Sequence, residues 1–158
     1  MKKLDNRGFS LAELIVVIAI MGILAGATSA SINQIFSNQT RKFINECDAM
    51  LTRCRVETLS GAPDGTHVEL RLDGGKYYVA YYEGGSKIEE EPLKNSSTSC
   101  TYKIGNGSAV DLESGTPLQI SYDRNTGALK AGCNCTEIAV GNSKITLVPA
   151  TGYHKVGG

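Results

Sequence analysis

Glu13 heads a stretch, Leu14 to Thr40, in which no side chain is charged. Inside a membrane a carboxylate costs about 2.5–3.5 kcal/mol at a helix centre, so it must find a partner. The same chain supplies no cation downstream before Arg41. The chemistry on offer is therefore pairing, not catalysis. A cationic chain terminus one helical turn upstream could meet Glu13, or the same group on a neighbouring copy, in an apolar surround where the attraction is strong. Pairing between staggered copies would give register to an otherwise uniform apolar bundle, as one buried polar residue does in coiled coils. The plainer alternative is a carboxylate stabilised at a helix start by the macrodipole.

Five cysteines form the second reactive set: Cys47, Cys54, Cys100, Cys133 and Cys135. Five is odd, so at least one thiol is unpaired within a monomer. Cys47 and Cys54 lie seven apart, about 10 Å of helical rise, beyond the roughly 7 Å between bridged Cα atoms. Cys133 and Cys135 point the same way from a strand, and a bridge between them would be strained. A bridge from Cys47 or Cys54 to Cys100, Cys133 or Cys135 is one expectation. Reduced, buried thiols acting as small apolar residues are the other.

The remaining candidates are weaker. Asp123-x-Asn125-x-Gly127 has part of a calcium-loop pattern but no closing glutamate, and reads as a turn. His67 and His154 are far apart, and neither neighbours a cysteine at zinc spacing. Glu89-Glu90-Glu91 reads as a solvated strand end, and Arg53 with Arg55 as a local basic patch. No metal, no cofactor and no small-molecule substrate are expected, and nothing points to an enzyme. With 16 basic and 16 acidic residues, no net field draws nucleic acid to the whole surface.

The elements that must hold these residues are legible from periodicity. From Phe9 to Ala27 run 19 residues, all apolar or small except Glu13, about 28 Å of helix and close to a bilayer's hydrocarbon thickness. Lys2, Lys3 and Arg7 precede them, which predicts a cytoplasmic N-terminal side. Beyond Ala27, Ile32, Ile35, Phe36, Phe43, Ile44, Cys47, Met50, Leu51 and Cys54 recur mostly at spacings of three and four, one apolar stripe on a continuing helix. Gly61-Ala62-Pro63-Asp64-Gly65 ends it. The period then changes to two. Val68 to Leu72 and Lys76 to Glu83 predict a hairpin around Gly74-Gly75, and Glu137 to Val140 with Lys144 to Val148 another around Gly141-Asn142. Leu118 to Tyr122 and Ala128 to Ala131 are expected to flank a third turn, with a strand at Thr101 to Ile104. The fold expected is α+β: one long N-terminal helix packed on a small antiparallel sheet. Its expected divisions are 1–8, a leader; 9–27, the membrane or filament-core half of the helix; 28–60, the amphipathic half; and 61–158, a β-rich globular domain.

The run Arg7-Gly8-Phe9-Ser10-Leu11-Ala12-Glu13, followed by the apolar stretch, resembles the N-terminal signal of type IV pilins and pseudopilins. The resemblance is close over about the first thirty residues. It implies cleavage between Gly8 and Phe9 by a prepilin peptidase, N-methylation of Phe9, and pairing of Glu13 with the new amino terminus at Phe9. It further implies partners: other pilin subunits, the peptidase and an inner-membrane platform protein, with nucleic acid only for a DNA-uptake pilus. The chain would be a single-pass membrane protein, N-terminus cytoplasmic, and then part of a surface or periplasm-spanning filament of a pilus, type II secretion or competence system. Gly22 and Gly26 form a Gly-x-x-x-Gly spacing suited to close helix approach. The ending Ile145 to Tyr153 is similar to that of minor, initiator-type pseudopilins, where a strand leads into a Thr-Gly turn. Two rivals remain: an ordinary signal peptide cleaved after Ala25-Gly26-Ala27, releasing a soluble secreted binding domain, and an uncleaved single-pass surface receptor.

Overall fold

The computed structural model describes residues 10–94 and 98–157, and over 27–36 the backbone alone. By internal contacts the chain divides into two compact units, Met1–Phe36 and Ser37–Gly158. Helix α1 runs Leu11–Leu59 and is followed by nine strands. These are β1 (His67–Asp73), β2 (Lys76–Glu83), β3 (Ser86–Pro92), β4 (Cys100–Ile104), β5 (Val110–Asp111), β6 (Leu118–Ile120), β7 (Cys135–Val140), β8 (Ser143–Val148) and β9 (Tyr153–Gly157). The fold is α+β with antiparallel sheets, as the change of period predicts.

The helix ends where its last carbonyls find amides beyond it. Ala62 N donates to Glu57 O at 2.9 Å and Gly61 N to Thr58 O at 3.2 Å. Gly61 takes φ +98°, the left-handed conformation that closes such an end without a Cβ penalty. Upstream, Phe43, Ile44, Cys47, Met50, Leu51 and Cys54 are all buried, so the described part of the apolar stripe is the face that the body covers. Ile32, Ile35 and Phe36 of the same stripe have side chains outside the described residues.

Three expectations are corrected. The strands form two sheets, not one: a four-stranded sheet in the order β3-β2-β1-β6 and a five-stranded sheet in the order β5-β4-β7-β8-β9. Val68, Leu70, Val79 and Tyr81 of the first share one core with Ile138, Val140, Ile145 and Leu147 of the second and with the helix stripe. A stripe carrying residues at both three and four spacings is wide enough to be met from two sides. Second, β3 and β9 exist although neither alternates cleanly; β3 is Ser-Lys-Ile-Glu-Glu-Glu-Pro. Third, Ala128 to Ala131 form no strand. Leu129 makes only an isolated bridge to Tyr122, because its amide is taken by Pro149 O at 2.8 Å.

Polar side chains fasten the helix to both sheets. Glu89 and Glu91 face α1, where Arg53 Nη1 lies 3.4 Å from Glu89 and Lys42 Nζ 2.8 Å from Glu91. Glu90, on the opposite face of the strand, meets Arg71 and Lys87. The acidic triplet is thus a strand end with Glu89 still exposed, as expected, whose carboxylates also pair on both faces of the strand. Arg53 also bonds Glu57 and lies 4.5 Å over the Tyr81 ring, while Tyr81 donates its hydroxyl to Glu57. On the other sheet, His154 Nε2 lies 3.0 Å from Thr52 Oγ1 and 3.5 Å from Asp48.

This arrangement predicts an acid limit to stability. The Tyr81 hydroxyl, and then Arg53, hold the Glu57 carboxyl below its usual 4.5. Lys103 does the same for Glu137 against the opposing effect of burial. Folded values below unfolded ones mean that this stabilisation is complete above about pH 4.5 and is lost as pH falls through the folded values. The urea midpoint should therefore be lower at pH 3 than at pH 7. Glu57→Gln should lower the pH 7 midpoint and shrink that difference; equal wild-type midpoints at the two pH values would contradict the assignment.

Candidate functional site

The candidate site is the start of α1. Ser10 N donates to Glu13 Oε2 at 2.9 Å, and Glu13 N donates to Ser10 Oγ at 3.2 Å. The two bonds form a reciprocal capping box, Ser at the cap and Glu three residues on, which satisfies two amides that a helix start leaves open. The sequence reading placed Glu13 at a helix start but missed Ser10, although Ser-x-x-Glu before an apolar run is a legible signal. Gly8 and Phe9, the expected cleavage and methylation positions, lie outside the described residues. Among the described residues the local partner of Glu13 is Ser10, a serine that neutralises no charge.

Every described side chain from Ser10 to Gly26 is exposed. Leu11 is 77% exposed, Ile23 73% and Met21 66%, values that a lone water-soluble helix would not sustain over four turns. A Cβ built on Gly22 or on Gly26 meets nothing within 4 Å, so both glycines present open flank. Among the described residues no helix is long and apolar enough to cross a membrane. The expected 19-residue run includes Phe9 and Ala27, at its two ends, whose side chains lie outside the described residues.

The other candidates resolve into structure. Asp123 Oδ1 accepts from the amides of Asn125 and Thr126 and from the Thr126 hydroxyl at 2.8–3.1 Å, which closes a turn. These bonds, the Thr126 hydroxyl first, hold the Asp123 carboxyl below its ordinary value. Arg53 and Arg55 form no free basic patch. Arg53 is held as above, and Arg55 donates to Gly127 O at 3.1 Å and to Thr151 O at 3.0 Å. His67 stacks on Tyr82 at 4.6 Å and His154 meets the helix, so the two histidines serve different sheets. Of the five cysteines, Cys47, Cys54, Cys100 and Cys135 are buried and Cys133 is half-buried.

Residues 3–29 match the family model of the prokaryotic N-terminal methylation motif, the type IV prepilin-like signature. The match covers the described capping box, Glu13 and the exposed apolar turns, together with Gly8 and Phe9. It supports a type IV pilin-like or pseudopilin chain as a substrate of prepilin peptidase, and a structural subunit more than an enzyme. No curated protein and no solved structure is matched by the chain.

Proposed function

We propose that this chain is a pilin-like or pseudopilin subunit, held in the membrane by residues 9–27 before assembly and packed through the same residues afterwards. The observation that carries the reading is the exposed apolar start of α1, lying within the segment that matches the methylation motif. In water such a surface is a liability; in lipid, or among copies of itself, it is the interface. The peptidase cuts between Gly8 and Phe9, and the new amino group of Phe9 is methylated. The cationic terminus then pairs with Glu13 of an adjacent copy, and Gly22 and Gly26 let the helices approach. Residues 28–60 carry the amphipathic half of the helix, and 61–158 form the body on the filament surface, of a pilus, secretion or competence system. An inner-membrane platform protein would receive the processed subunit.

The mature N-terminus tests this directly. Mass spectrometry of the protein from its native membrane should find a chain starting at N-methylated Phe9. A start at Thr28 would instead identify a secreted domain released from a signal peptide, and an uncleaved chain retaining residues 1–8 would identify a static anchor. Either result overturns the filament reading.

A further inference from the structure

Three features lie outside the helix start. A polar cleft of about 450 Å³ beside the Asp123 turn has a lining of mixed charge that favours no ligand class. The exposed edge residues Ile104 and Val110 come with no sign of what covers them. The buried thiols go further, because the sheet register brings two of them together.

Cys100 stands opposite Val140 in the β4–β7 ladder, and Val140 stands opposite Ser143 in the β7–β8 ladder. Ser143 lines a small cleft with Ile44 and Asn45 of α1. Farther along, Leu147 stands opposite His154, which meets Thr52. Helix α1 and strand β8 therefore run in the same sense, and two reversals make β4 run with them. Across one sheet, Cys100 is thus level with the helical turn of Ile44 to Cys47. Gly141 confirms the level from the side: a Cβ there would lie 3.1 Å from Thr98 and 3.6 Å from Thr40. Cys47 and Cys100 are 0% and 2% exposed in one core. The other three thiols sit in other surroundings: Cys54 lies beside Val68 of the opposite sheet, Cys133 beside Ser121, and Cys135 Sγ lies 3.6 Å from Glu137 O.

We infer that Cys47 and Cys100 are the pair joined by a disulfide, a covalent tie between the helix and the five-stranded sheet. Each thiol loses one proton and one electron as the S–S bond forms. The oxidant is a second disulfide, on a thiol–disulfide oxidoreductase or on oxidised glutathione, which is reduced to two thiols. Burial, and then the neighbouring Cys100 thiol, hold the Cys47 thiol well above the ordinary cysteine range. Burial and then Asp111 push Cys100 up to about 12. Neither is a thiolate in the finished core at neutral pH, so exchange takes place while the chain folds. In the cell the bond rests on the filament reading, which puts the body outside the membrane where disulfides persist. Folding in vitro does not depend on that placement.

The test folds the full-length chain in detergent in a glutathione redox buffer, alkylates remaining thiols and digests with trypsin without reduction. Cleavage after lysine and arginine puts Cys47 in peptide 43–53, Cys54 in 54–55, Cys100 in 95–103 and the last two in 131–144. The expected product joins 43–53 to 95–103 and leaves Cys54, Cys133 and Cys135 alkylated. Alkylation of both Cys47 and Cys100, or a bridge from either to another cysteine, overturns the assignment. Reduction should lower the melting temperature of the oxidised protein by about 10 °C, as for a bridge closing a loop of some fifty residues. Cys54→Ser/Cys133→Ser/Cys135→Ser should keep that shift; its loss there, or its absence from the wild type, counts against the pair.

Discussion

Glu13→Gln is expected to be cleaved normally after Gly8 and yet to fall out of filaments, with subunit yield in sheared filaments down at least about tenfold. The substitution separates two duties of one side chain. Glutamine retains an oxygen to accept from Ser10 N, so the capping box at 2.9 and 3.2 Å survives in form. What it removes is the charge. Losing one partner of an apolar-buried ion pair costs about 3–5 kcal/mol, far more than the 1.4 kcal/mol behind a tenfold change. Ser10→Ala is the converse: it keeps the charge and loses the hydroxyl acceptor, at about 1 kcal/mol of helix stability, and should still assemble. Filament yield from Glu13→Gln equal to wild type, with Ser10→Ala defective, would show that Glu13 serves its own helix and sets no register between copies.

Gly152→Ala should be the most damaging single change in the body. Gly152 has φ +65°, and a Cβ there would lie 1.9 Å from Gly127 O, a backbone atom, and 3.1 Å from Arg55 Nε. Neither neighbour is free to give. Gly127 O accepts from Arg55, Arg55 also holds Thr151 O, and Gly152 N donates to Val148 O at 2.8 Å. Relieving the clash means opening the point where the helix, the 123–127 turn and the 149–152 turn meet. We expect a loss of about 3–4 kcal/mol, at the upper end for point substitutions. Gly157→Ala is the control. A Cβ there meets nothing within 4 Å, so stability should stay within about 0.5 kcal/mol. Urea denaturation of both variants measures the contrast, and a Gly152→Ala protein as stable as wild type would refute the packing described.

Which turns are that crowded could not be read from the chain. Thr151-Gly152 looks like any small turn in sequence, as Asp123 to Gly127 does, and only their meeting at Arg55 makes one glycine indispensable. The acidic triplet teaches the same lesson. Three consecutive glutamates suggest solvent because three of their partners, Lys42, Arg53 and Arg71, come from elements between 19 and 49 residues away. Strands β3 and β9 lack the usual alternation because their helix-facing positions carry Glu89, Glu91 and His154, which meet α1 through polar contacts where an apolar residue would mark a covered face. Two sheets were read as one for a related reason: alternation says which face of a strand is buried, but not which strands share a ladder.

What the sequence determined by itself is local and periodic. The apolar stretch behind Glu13, the long helix with its buried stripe from Phe43 to Cys54, its stop at Gly61 and the two hairpins at Gly74-Gly75 and Gly141-Asn142 all follow from neighbours a few residues apart. Each is set by backbone geometry and side-chain spacing that the chain carries in any context. The tertiary structure alone decided the long-range matters. These are the division into two sheets, the partners of the charged residues, and which cysteine of the helix lies level with which strand. For Glu13 it added the Ser10 cap, a local reason for a glutamate at that place, which sharpens the test of the intermolecular one. Contacts of this kind depend on where distant segments meet, and their energy is realised only once the core has closed around them.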